Sequence, residues 1–197
     1  MDQAVDPRLQ LSAPGARART WLLALCIILP IVAAMFGVAI PVLRGQPLDL
    51  IAGNLALTLA ITFAGAVLAC FVLWRVMAWF MDRRSLVLAP GLLEVRSSFY
   101  RCRMPLADMK LDQARVVDLD EHTELKTTIK TNGFSIPGFH SGWFLLRNRR
   151  RTFVAIADGR RKLWVPGSGR HDLLLEPVDP AALLARLREL AAGSTRS

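Results

Sequence analysis

Three histidines, three cysteines and a run of carboxylates are the side chains with which metal or nucleophilic chemistry would begin in this 197-residue chain. His122 stands in DLDEHTE, His140 in a glycine-rich stretch and His171 ahead of an apolar run. None has a Cys, His or carboxylate at the spacing of CxxC or HExxH, the patterns that turn two ligands toward one ion. The acidic run Asp118, Asp120, Glu121 and Glu124 lacks the central glycine of a calcium loop and reads as a solvated turn. Cys102 lies between Arg101 and Arg103, which would lower its pKa, but strand alternation turns it away from both and into a core. Cys26 and Cys70 fall in the most apolar runs, so the cysteines form no disulfide framework. The expectation is a protein with no catalytic residues, no metal ligands and no cofactor, and therefore not an enzyme.

Charge and apolar surface remain. Lys and Arg number 25 against 16 Asp and Glu, a net charge of +9. Residues 82–197 hold 20 of the basic and 13 of the acidic side chains. The densest basic groups are RNRRR at 147–151 and RRK at 160–162. A strand between them, at about 3.3 Å per residue, holds them roughly 20 Å apart, so they form no common pocket. Arg147, Arg149, Arg150 and Arg151 are the candidates for contact with anionic headgroups, where each basic side chain contributes about 1 kcal/mol, or with an acidic partner. Solvated turns are the plainer reading. Nucleic acid is not an expected partner, because no recognition module and no aromatics interleaved along a strand face are present. A second candidate is the stretch 131–143, read as a loop with three glycines whose Phe134, Phe139 and Trp143 fold back over the domain or meet the bilayer or a neighbouring subunit.

The elements that position these groups begin with two apolar runs. Residues 21–43 carry no charge over 23 positions, about 34 Å of helix, and residues 50–74 are uncharged over 25. The first is too long for a signal peptide and a second follows at once. Two membrane spans, about 21–43 and 50–80, are expected within a helical hairpin over 21–82. The connection RGQPLD forces the helices antiparallel, which puts both termini on one side. Arg8, Arg17 and Arg19 precede the first span and Arg83, Arg84, Arg96 and Arg101 follow the second, against Arg44 alone in the loop. The positive-inside rule then predicts a multi-pass protein of the cell inner membrane with both termini cytoplasmic. Trp21, Trp74 and Trp79 would lie at that same headgroup level. Ala52, Ala56, Ala60 and Ala64 recur every fourth residue, a small-residue seam for another helix: the first span, through Ala33 and Gly37, or a second copy or partner. Pro30 and Pro41 are candidate kinks in the first helix.

After residue 82 short apolar runs alternate with turn residues. Strands are expected at 86–89, 92–97, 101–105, 114–119, 142–147, 151–157, 160–165 and 172–175, with Asp158-Gly159 the clearest hairpin signal. Asp179 as cap, Pro180 in first position and Leu183, Leu184, Leu187 and Leu190 at helical spacing predict a closing amphipathic helix. The division is a tail at 1–20, the hairpin, a cytoplasmic domain at 83–192 and a short tail at 193–197. The class is a membrane-anchored α+β protein whose mainly antiparallel sheet domain is capped by one C-terminal helix.

TNGFSIPGFHSGWFLLRN at 131–148, followed by TFVAIADGRRKLWVP and LLLEPVDPAALLARL, resembles one of the bacterial pleckstrin-homology-like (PH-like) domain families in order and spacing. The resemblance covers roughly residues 85–192. It implies a PH-like split barrel and no particular ligand. The first hairpin, LVLAPGLLEVR, has no lysine at its turn, unlike the phosphoinositide-binding PH domains of eukaryotes. The function expected is an interaction or scaffold module held near the bilayer, contacting membrane lipids or a membrane protein. The alternative is a self-assembling structural or accessory subunit, a homo-oligomer.

Overall fold

A computed structural model describes residues 6–45, 54–89, 91–169 and 171–194. The chain forms two compact units, Arg19–Trp79 and the remainder on both sides of it.

In the helical unit, α1 (Ala16–Leu23) passes through a π-helical stretch, Ala24–Ile28, into α2 (Leu29–Leu43). Pro30 has no N–H to give the Cys26 carbonyl, and its ring crowds that turn; the wider π turn directly before it accommodates both. The second long helix, α3 (Leu55–Asp82), is continuous. Both helices are long and apolar enough to cross a membrane. Their large apolar side chains, Leu29, Met35, Phe36, Phe63 and Leu68 among them, face outward uncovered. Leu59, Thr62, Phe63 and Ala66 of α3 line a cavity of about 360 Å³ with Ala34, Met35 and Ala39 of α2. Ala56, Ala60 and Ala64 are exposed and lie about 100° round α3 from that face. They therefore do not pack on the first helix as one expectation had it; Ala52 lies outside the described residues.

In the sheet unit, β1 (Arg84–Ala89), β2 (Leu92–Ser97) and β3 (Tyr100–Pro105) form an antiparallel meander. A larger sheet contains β4 (Arg115–Asp118), β5 (Thr127–Ile136), β6 (Phe139–Leu146), β7 (Arg151–Ile156), β8 (Arg161–Val165) and β9 (Asp172–Leu175), in the order β4-β8-β9-β7-β6-β5. The closing helix α4 (Pro180–Ser194) is capped by Asp179, which accepts from the N–H groups of Ala181 and Ala182 at 3.0 Å. The coarse expectation stands: apolar helices, then a mostly sheet domain ending in a helix.

The central strands β7 and β9 of the larger sheet are buried on both faces, which is why TFVAIA and DLLL read as unbroken apolar runs. Phe153, Ala155, Leu173 and Leu175 point into one core, shared with Leu93 and Met104 of the small sheet and Leu183 and Leu187 of α4. Val154, Ile156 and Leu174 point into a second, with Phe144, Leu146, Val117 and Leu125. Each fully buried leucine there contributes roughly 2 kcal/mol.

Two expectations are corrected. Asp158-Gly159 does not close a hairpin: β9 lies between β7 and β8, parallel to the first and antiparallel to the second. The turn is held instead by Glu176, whose carboxylate accepts from the N–H groups of Ala157 and Gly159, each at 2.9 Å. The stretch 131–143 is not a loop but most of the β5–β6 hairpin, turning at Pro137 and Gly138. Its glycines serve close approach. Gly142 has φ +114, and a Cβ there would lie 2.6 Å from the Gly133 Cα.

The segment before α1 is built into the domain. Leu9 and Leu11 are buried in the first core, Leu11 bridges to Pro177, and the Gln10 side chain exchanges hydrogen bonds with both backbone groups of Leu86. Arg84 donates to the carbonyls of Leu11 and Ser12.

Candidate functional site

The arginine turn after β6 is divided in its roles. Arg150 donates to the Asp172 carboxylate at 2.6 and 3.3 Å and to the Gly167 carbonyl at 3.1 Å. Asp172 is 1% exposed, so the pair anchors β9, and it raises the Arg150 pKa further. Arg151 lies over the Trp143 ring at 4.8 Å. Arg147 and Arg149 are exposed, Arg149 with a positive φ in the turn. Arg150 therefore serves the fold, which its place in a basic run concealed.

The apolar candidates separate in the same way. Phe139 is 2% exposed and belongs to the domain interior, so it presents no contact surface. Trp143 is half-buried, edge-on to Phe153 and to His171 at about 5 Å. Phe134 is half-buried beside Phe139.

A basic site absent from the candidates lies on the small sheet. Glu94 in β2 accepts from Arg96 at 2.5 Å, from Arg101 at 2.5 Å and from Arg103 at 2.8 Å. Arg103 stands opposite Glu94 and Arg101 opposite Arg96 in the β2–β3 register, so all four share the outer face. Hydrogen bonding from Arg101, then from Arg103 and Arg96, holds the Glu94 carboxyl down at about 2 against its partial burial. One carboxylate among three half-exposed guanidinium groups leaves a net positive patch of ordered side chains. The signal was in the sequence: in EVRSSFYRCR the charged residues alternate at period two on both sides of the turn, which puts them on one face.

The turn between these strands is aromatic. Phe99 is 48% exposed on one side and stacks on Phe80, in the last turn of α3, with ring centroids 4.1 Å apart. Arg83 lies over the same Phe80 ring, and its carbonyl accepts from the Ser98 N–H at 2.8 Å. The turn packs on β6 through Ser141, whose hydroxyl donates to the Ser97 carbonyl at 2.8 Å. Ser141 is five residues along β6 from Leu146, which separates this site from the Arg147 turn by roughly 17 Å.

Cys102 is buried, 3.7 Å from His171 Nε2, and burial pushes its thiol up to about 12, away from thiolate chemistry. Burial, aided by the positive charge of Arg151, lowers the His171 pKa; burial and Lys162 lower that of His140, whose Nδ1 lies 2.7 Å from the Ser135 hydroxyl. In the acidic run, Asp120 pairs with Lys126 and Glu124 with His122. Among the described residues no three His, Cys, Asp or Glu side chains gather to hold a metal ion.

Comparisons with protein-family models, curated proteins and solved structures give no match to this chain.

Proposed function

We propose that this chain is an integral membrane protein of the bacterial inner membrane that displays a PH-like interaction and scaffold module on the cytoplasmic side, in contact with anionic lipid headgroups. The observation that carries the reading is the stack of Phe99 on Phe80 beside Arg96, Arg101 and Arg103. If α3 crosses a bilayer, Phe80 leaves it at the headgroup level, where aromatic rings partition and arginines meet phosphate. Being tethered, the domain gains orientation from such contacts more than recruitment. The sheet domain with its C-terminal helix supports the PH-like reading, and the many basic residues flanking the helices support both termini being cytoplasmic. The test is hydrogen exchange on the whole protein in nanodiscs with and without phosphatidylglycerol. Slower exchange at residues 96–103 in the anionic discs is the expected result; identical exchange in both contradicts the reading.

A second reading, self-association through α3, draws on the exposed Ala56, Ala60 and Ala64. In lipid such a ladder lets two backbones approach closely. A fixed multimer in native mass spectrometry that Ala60→Leu dissociates supports it, and a monomer removes it.

A further inference from the structure

The strap before α1, the turn between β7 and β8 and the start of α4 border an open cleft of about 680 Å³. Arg8 of the strap, Arg160 of the turn and Arg161 at the head of β8 all line it. Two carboxylates also line it, and both are committed elsewhere. Glu176 binds the N–H groups of the turn and pairs with buried Lys162 at 3.3 Å, while Asp179 caps α4. Among the described residues no ion pair engages Arg8, Arg160 or Arg161, and Asp118, opposite Arg161 in the β4–β8 register, makes none with it. Three arginines around one opening, with both of the carboxylates that line it already engaged, concentrate positive potential there. Their planar forks match the paired oxygens of a phosphate.

We propose that this cleft, formed by Arg8, Arg160 and Arg161, binds a phosphate-bearing anion. A lipid headgroup and a free phosphate carry the same chemistry. Ser12 of the strap also lines the cleft, and a Cβ on Gly15, three residues further along, would lie 3.4 Å from the carboxylate of Asp158 in the turn that carries Arg160. A headgroup as the source rests on the membrane reading above; binding of the anion does not.

The test uses the whole protein in two arms. In phosphatidylcholine nanodiscs, calorimetry follows binding of pyrophosphate; in discs that also contain phosphatidylglycerol, native mass spectrometry counts retained lipid. Arg160→Gln with Arg161→Gln lowers binding about tenfold or more, since hydrogen bonds to charged groups contribute roughly 1.5–3 kcal/mol each. Arg147→Gln with Arg149→Gln removes the same charge at the far end of β7 and leaves binding unchanged. Arg8→Gln, on a separate element, gives the same loss and guards against misfolding of the double variant. Pyrophosphate binding alone identifies a free phosphate, and selective phosphatidylglycerol retention identifies a headgroup. No binding in either arm, or equal loss in the Arg147 and Arg149 variant, overturns the proposal. Arg101→Gln with Arg103→Gln reports separately on the lipid contact of the small sheet, so failure of one site is distinguishable from failure of the other.

Discussion

Arg150 and Asp172, 22 residues apart in sequence, form a two-point ion pair at the end of the larger sheet, Nη2 to Oδ1 at 2.6 Å and Nε to Oδ2 at 3.3 Å. Oδ1 also accepts from the Gly167 N–H at 3.1 Å, so one carboxylate joins the β6–β7 turn to the approach of β9. Asp172→Ala strands the buried Gly167 N–H and releases the half-exposed Arg150 guanidinium to water, and unfolding free energy should fall by about 2 kcal/mol. Arg149→Gln, from the same basic run, should stay within about 0.5 kcal/mol of the parent. Denaturant titration of both variants measures this, and equal effects would refute the assignment of Arg150 to the fold.

Gly142 gives a steric prediction. At φ +114 a methyl group would meet the Gly133 Cα at 2.6 Å and the Asn132 carbonyl at 2.7 Å, all backbone and unable to yield. Gly142→Ala should cost more than about 3 kcal/mol or prevent folding. Gly193→Ala, in the last turn of α4 with open space around it, should be neutral or raise stability by up to about 1 kcal/mol. A tolerated Gly142→Ala would mean that the β5–β6 hairpin is not paired as described.

Acid should destabilise the domain in two stages. His140 and His171 are held below the ordinary histidine value, so the unfolded chain takes up those protons first. Their contribution is complete above about pH 6.5 and is lost as pH falls through the lowered folded values. Glu94, held at about 2 against roughly 4.3 when unfolded, contributes above about pH 4.3, and that part fades as pH approaches 2. His140→Asn should flatten the upper stage and Glu94→Gln the lower. Unfolding midpoints against pH that keep both slopes in both variants would contradict these environments.

Much of the sheet domain was legible because its strands alternate or run apolar between turn residues; 92–97 and 172–175 were placed at the bounds that β2 and β9 have. Strand β5 was missed because TTIKTNGF is exposed along most of its length and interrupted by Gly133, so no burial pattern marks it. The Asp158-Gly159 turn misled because a two-residue turn signal reports local chain reversal and cannot show that a later strand inserts between the arms. Among the arginines, composition located the charge but not its partners. Asp172 holds Arg150 for the fold, and only the fold brings those two together, while Glu94 orders Arg96, Arg101 and Arg103 into one half-exposed patch.

The central claim is that the Phe99 turn with its arginines, and not the Arg147 turn, meets the bilayer surface. A fluorophore on Phe99→Cys and, separately, on Arg149→Cys, in nanodiscs containing a headgroup spin-labelled lipid, tests this directly, since Cys26, Cys70 and Cys102 are all buried. The account predicts strong quenching at position 99 and little at 149. Equal quenching, or stronger quenching at 149, would contradict it.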